Sequence, residues 1–146
     1  MQAVDRLICQ LLAADGRMSY TALGKVTGLS TSAVHQRVKR LEERGVLRGY
    51  GAIIDFREVG LPLTAFISIR PIDNSQPDDS PERLAHIDEI EACHSVAGDE
   101  SYILKVRVAE PSDLESLLAR IRSAANVTTR TTIVLSTPYE FRTPKF

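Results

Sequence analysis

Residues 30–45 read STSAVHQRVKRLEERG. Val34, Val38 and Leu41 recur at i, i+4 and i+7, which puts them on one face of a helix. Ser30 suits the N-cap, and Gly45 suits the left-handed closing position with Val46 folding back as its hydrophobic partner. The remaining side chains are of another kind. Thr31, Ser32, His35, Gln36, Lys39 and Arg40 share the outward face, and Arg37 lies within the same run. Hydroxyls and amides near a helix start can reach base edges or phosphate oxygens, and cations further along can neutralise a phosphate backbone. The candidate nucleic-acid contacts are therefore Ser30, Thr31, Ser32, His35, Gln36, Arg37, Lys39 and Arg40. Taken alone, the segment also fits a solvated surface helix of mixed charge.

The residues upstream strengthen the first reading. Val4, Leu7, Ile8, Leu11 and Leu12 form an apolar stripe along a first helix that Asp15-Gly16 can end. Ser19 can cap a short second helix through Leu23 to Val26, and Gly28 can take positive φ in the turn before Ser30. Two helices joined by a tight glycine turn and braced by an earlier helix make a tri-helical helix-turn-helix. Charge agrees. The net charge of −1 hides eight Lys/Arg against four Asp/Glu in residues 1–50, a surplus of +4, followed by ten against fifteen in residues 51–146, a deficit of −5. A basic front and an acidic back suit a polyanion-binding domain joined to one with a different task.

Downstream, RGYGAIIDF (48–56) is a short β-prone run that fits a wing, a linker strand or a strand paired with a partner subunit. PLTAFISIRPI (62–72) alternates, with Leu63, Ala65, Ile67 and Ile69 on one side, as a half-buried strand does. Ser80-Pro81-Glu82 starts a helix with Ser80 as cap and Leu84, Ile87 and Ile90 as its apolar side. Residues 92–97 and 101–109 read as strands around a hairpin turn at Gly98-Asp99-Glu100, with Tyr102, Leu104, Val106 and Val108 on one face. Ser112 with Glu115 fits a capping box for a helix carrying Leu114, Leu117, Leu118 and Ile121, and a last strand runs from Val127 to about Ser136. Strand, helix, strand, strand, helix, strand is the ferredoxin-like βαββαβ order.

The expected fold is thus α+β, a tri-helical (winged) helix-turn-helix over 1–48, a linker strand or hinge over 49–61, and a ferredoxin-like domain over 62–146. One sheet face is left uncovered by its two helices and is readily buried against a second copy, which predicts a homodimer. Double-stranded DNA points the same way, because a two-fold dimer reads two half-sites about 34 Å apart or a multiple of it.

Other classes fit poorly. No apolar run approaches the roughly 20 residues that a membrane helix needs. The amphipathic first segment has no secretory character, which predicts a cytoplasmic protein and makes the tripeptide Asn126-Val127-Thr128 a chance glycosylation match. Cys9 and Cys93 lie in different elements and read as reduced thiols. Cys93 and His94 are neighbours on a strand, point to opposite faces and cannot chelate one ion together. There is no phosphate loop, nucleophile elbow or zinc spacing, so neither catalysis nor a metal is expected.

With these residues in hand the chain resembles the Lrp/AsnC family, also called feast/famine regulatory proteins, over nearly its whole length. The likeness rests on Asp15-Gly16-Arg17, Leu29-Ser30, the run Val34 to Leu41, the segment Gly45-Val46-Leu47-Arg48-Gly49-Tyr50, Gly60-Leu61, and the segment Thr129 to Ser136. The resemblance implies a transcription regulator tuned by an amino-acid effector, with no other cofactor, whose dimers often assemble into octamers. It also implies an effector site where dimers meet, which here means Val96, Gly98, Asp99, Glu100, Tyr102, Thr131 and Thr132. Ser101 departs from the family pattern, in which an aspartate is common. The alternative at this point is a stand-alone amino-acid-sensing or assembly module without specific DNA binding.

Overall fold

The computed structural model describes residues 1–146, which divide into two compact units, Met1–Ile53 with Tyr139–Phe146, and Ile54–Pro138. In the first unit α1 (Ala3–Ala14), α2 (Tyr20–Thr27) and α3 (Thr31–Glu43) close on one small core of Ile8, Cys9, Leu12, Leu23, Val34, Val38 and Leu41. Each start is specified locally. The Ser19 hydroxyl accepts the Ala22 N–H at 3.1 Å and the Ser30 hydroxyl accepts the Ala33 N–H at 3.2 Å, satisfying donors that the first turn leaves unpaired. Gly28, at φ +73°, lets the chain reverse between α2 and α3.

The C-terminus of α3 differs from expectation in one residue. Gly45 does take positive φ (+67°), and Val46 and Leu47 both donate N–H to the Leu41 carbonyl. It is Leu47 that packs on the core, whereas Val46 is 41% exposed. These two hydrogen bonds to one carbonyl oxygen turn the chain so that the second residue after the glycine, not the first, points inward.

No wing forms. The run 48–56 carries no strand, and Ile53 is 73% exposed. β-propensity describes fitness for a paired, half-buried surface, and within one chain this segment has no strand to pair with. The last eight residues, which sequence order groups with 62–146, pack instead with the first unit. Gln10 Nε2 donates to the Phe146 carbonyl at 2.6 Å, and Thr143 Oγ1 donates to the Ala13 carbonyl at 3.4 Å.

The second unit contains β1 (Leu63–Pro71), α4 (Ser80–Leu84), β2 (Ile90–Ser95), β3 (Tyr102–Val108), α5 (Pro111–Ala125) and β4 (Val127–Ile133). The strands form one antiparallel sheet in the order β2-β3-β1-β4, the ferredoxin-like arrangement. Ala65, Ile67 and Ile69 of β1 and Leu104, Val106 and Val108 of β3 face the helices and bury against Leu84, Leu114, Leu117 and Ile121. Residues of opposite parity, among them Phe66, Ser68 and Arg70, make the other face, which no element of the unit covers with a helix.

Several boundaries differ from the sequence reading. α4 has only five residues and its N-cap is Asp79, so Ser80 sits inside the first turn and is buried. Ile87 is buried in the turn that follows, and Ile90 already belongs to β2. α5 starts at Pro111 after the N-cap Glu110, two residues before the expected cap. Its preset φ suits proline to the first helical position, and the Glu110 N–H donates to Asp113 Oδ2 at 3.2 Å. β4 ends at Ile133, opposite Ala65, three residues short of the expected Ser136. Val134 donates the last bond to Thr64, and Leu135 is 96% exposed. Asn126, at φ +52°, is the single residue between α5 and β4. A bulge between Ile90 and Ala92 turns Glu91 toward Lys105 and Arg107. Arg107 also donates to Thr64 Oγ1 at 2.9 Å and lies 3.9 Å over the Phe56 ring. No helix is long and apolar enough to cross a membrane.

Candidate functional site

Packing leaves the polar side of α3 turned to solvent. Val34, Val38 and Leu41 are buried, while Ser30, Thr31, Ser32, His35, Gln36, Lys39 and Arg40 are exposed together. The row begins with hydroxyls, beside the positive end of the helix dipole, and ends with cations. The Ser30 and Ser32 hydroxyls lie 3.2 Å apart, and Lys39 reaches Glu43 at 3.8 Å across one exposed turn. His35 is supported from the side, because Tyr20, the first residue of α2, places its ring centroid 5.2 Å from the imidazole. Tyr20 escaped the sequence reading, since a contact between neighbouring helices leaves no trace in either helix's own periodicity.

Arg37 stands apart from that row. It is half-buried, and its Nη1 donates to Asp5 Oδ1 and to Gln2 Oε1, both at 2.8 Å. Burial pushes the Asp5 carboxyl up, but the hydrogen bond from Arg37, the bond from the Gln2 N–H and the charges of Arg37 and Arg40 outweigh it and hold the group below its usual range. At the far end of α3, Glu42 accepts the Tyr50 hydroxyl at 2.8 Å. Burial, followed by that carboxylate, pushes the Tyr50 phenol up to about 12.

In the second unit the predicted effector residues divide. Asp99 and Glu100 line a depression of about 280 Å³ together with Ser68, Arg70, Thr128, Thr129 and Arg130. Glu100 pairs with Arg130 there. Ser101 anchors the hairpin by donating its N–H to the Ile69 carbonyl at 3.0 Å while accepting from the Val96 N–H at 3.1 Å. Thr132 pairs with Phe66 and so shares the open face, outside the depression. Tyr102 and Thr131 pair with Ile69 and Ile67 and therefore look toward the helices. Gly98 lies in the hairpin loop.

Ser68, Arg70, Thr128, Thr129 and Arg130 were missed. Ser68 and Arg70 are the polar members of the β1 alternation, and Arg130 is the one cation in a threonine-rich run, so parity along the strands could have found three of them. The depression offers carboxylates to an ammonium group and guanidinium groups to a carboxylate, the two ends of a zwitterion.

The AsnC-type helix-turn-helix domain model matches residues 1–42, and the Lrp/AsnC ligand binding domain model matches residues 64–144. The HTH-type transcriptional regulator LrpA of Mycobacterium tuberculosis is 56% identical over 139 residues, 95% of this chain and 93% of that one. The leucine-responsive regulatory protein of Escherichia coli is 34% identical over 140 residues, 92% of this chain and 85% of that one. Among solved structures, the feast or famine regulatory protein from M. tuberculosis complexed with L-methionine superposes with a TM-score of 0.95 at 55% identity, covering 97% of both chains. Helix-turn-helix, ferredoxin-like sheet and full-length identity converge: the chain belongs to the Lrp/AsnC family.

Proposed function

We propose that the protein is a DNA-binding transcription regulator that reads the major groove with α3 and whose DNA affinity or assembly is set by an amino acid bound in the second unit. The observation that carries this reading is the undivided solvent-facing row from Ser30 to Arg40 on a helix whose opposite side is buried. A helix of this kind fits the roughly 12 Å width of the major groove. Ser30, Thr31, Ser32, His35 and Gln36 supply base and phosphate contacts, and Lys39 and Arg40 supply backbone neutralisation. Domain bounds of 1–48, 49–61 and 62–146 separate reading from sensing, with the tail 139–146 of the last segment packing back on the first unit.

The effector reading is supported by Asp99, Glu100, Arg70 and Arg130 around one depression, by the methionine-bound neighbour and by the leucine-responsive relative. Val96, Gly98, Tyr102, Thr131 and Thr132 complete the set that the family pattern assigns. Two copies pair through the open sheet face, dimers assemble further up to the octamer, and the protein acts in the cytoplasm. An effector shifts DNA binding only by preferring one assembly or arrangement over another.

The test is DNA binding by fluorescence anisotropy across a salt series. Lys39→Ala weakens binding to every sequence and lowers the salt slope by about 1, whereas Gln36→Ala costs about 1–3 kcal/mol of discrimination at one half-site position. Equal losses on specific and random duplexes for both variants would refute this division of roles, and a wild-type chain without any DNA complex at low salt would remove the regulator reading. A thermal-shift series with the twenty amino acids reads the effector, whose binding raises the melting temperature.

A further inference from the structure

The start of α1 and the second half of α3 enclose a concavity of about 430 Å³ lined by Gln2, Asp5, Arg37, Arg40 and Arg44 among others. Arg37, Arg40 and Arg44 follow one another at i, i+3 and i+7, on the flank of α3 between its buried stripe and its outward row. Three guanidinium groups there meet one carboxylate. Asp5 and Gln2 hold Arg37, and Arg40 spends Nε on the Gln36 carbonyl at 3.4 Å. The acids that could balance the others are occupied, Glu43 with Lys39 and Glu42 with the Tyr50 hydroxyl. Arg40 and Arg44 are both exposed at the rim. A guanidinium fork matches two oxygens of a phosphate, and a concave, positively charged wall concentrates anions.

We propose that this concavity seats a phosphodiester group of the DNA backbone, with Arg40 and Arg44 as its donors and Asp5 as the positioning residue that keeps Arg37 in the wall. The inference rests on the regulator reading and extends it to Arg44 and to the start of α1. A major groove is bordered by two backbone strands, so a helix lying in it exposes one flank to each. The Tyr20 and His35 side of α3 faces one strand, and the arginine side faces the other.

The seat is tested on the full chain with specific and random duplexes over a salt series. Arg44→Gln and Arg40→Ala are each expected to lower affinity about three- to tenfold at low salt, equally on both duplexes, and to reduce the salt slope by about 1, with unchanged melting temperature. Asp5→Asn releases Arg37 and shifts that slope too, which a purely structural role would not do. A methylphosphonate at the flanking phosphate weakens the wild type more than it weakens Arg44→Gln, which keeps only Arg40 as a donor there. If the wild type binds with a steep slope and Arg44→Gln matches it on both duplexes, the seat is wrong while the regulator reading stands. If the wild type shows no salt-dependent binding, the regulator reading falls first. Stabilisation of the wild type but not of Arg44→Gln by inorganic phosphate, with DNA slopes equal, would assign the seat to a free anion and overturn the proposal.

Discussion

A methyl group on Gly24 would lie 2.6 Å from the Leu29 carbonyl oxygen, and that oxygen is fixed because the Leu29 N–H is itself bonded to the Gly24 carbonyl at 3.1 Å. Alanine in mid-helix normally gains up to about 1 kcal/mol over glycine. At this position the backbone must move to admit it, at a cost of about 1–3 kcal/mol. Gly24→Ala is therefore expected to lower the melting temperature of the first unit, and an unchanged or raised value in a thermal unfolding experiment would contradict the close approach. Sequence marked Gly28 and Gly45 but passed over Gly24. The first two follow periodic runs, where a left-handed residue ends a helix, whereas Gly24 is required by a neighbour five residues on whose position only the folded turn defines. Leu47 in place of Val46 is the same kind of miss, one residue in size.

Between elements, the Asp5–Arg37 pair joins α1 to α3 across 32 residues of sequence, a contact that the periodicity of neither helix shows. Its carboxyl is held below the ordinary range, so its contribution is present at neutral pH and is lost as the pH falls through that lowered value. With solvent screening this contribution is about 1 kcal/mol. Asp5→Asn should be less stable than the wild type by about that amount at neutral pH, and the gap should close in acid. Chemical unfolding at a series of pH values decides it, since parallel stability curves would exclude the pair as the source. The three helices, four strands and both caps at Ser19 and Ser30 were legible because periodicity and capping are local. The five-residue α4 and the unpaired run at 48–56 were not, because each is settled by what the rest of the fold offers as a partner, whereas the earlier start of α5 is itself local, set by Glu110, Pro111 and Asp113 in place of Ser112.

For the molecule as a whole, charge and apolar surface divide the labour. The surplus of +4 lies in residues 1–50, and the sheet of the acidic remainder leaves Phe66 38% exposed on its open face. Phe66→Glu is expected to convert the proposed dimer to monomers in sedimentation and to weaken binding to a two-half-site duplex more than to a single half-site. Retention of the dimer would place the contact elsewhere. The order of elements along the chain was enough to anticipate the sheet and its bare side. The return of Tyr139–Phe146 to the first unit was not anticipated, since a short tail without periodicity carries no address. Five of the seven residues lining the depression were likewise passed over; parity marks Ser68, Arg70 and Arg130, but that they share one hollow with Glu100 follows only from the register of β1 and β4.

That register hangs on Asn126. With one left-handed residue joining α5 to β4 there is no slack in the connection, so Thr128 and Arg130 are carried on the helix as on a rigid shaft. The amino acid proposed to bind beside them would meet a wall already set and cost its host little freedom in settling there. One extra residue after Asn126 would rotate every later side chain of the strand to the reverse side and hide Arg130 beneath α5.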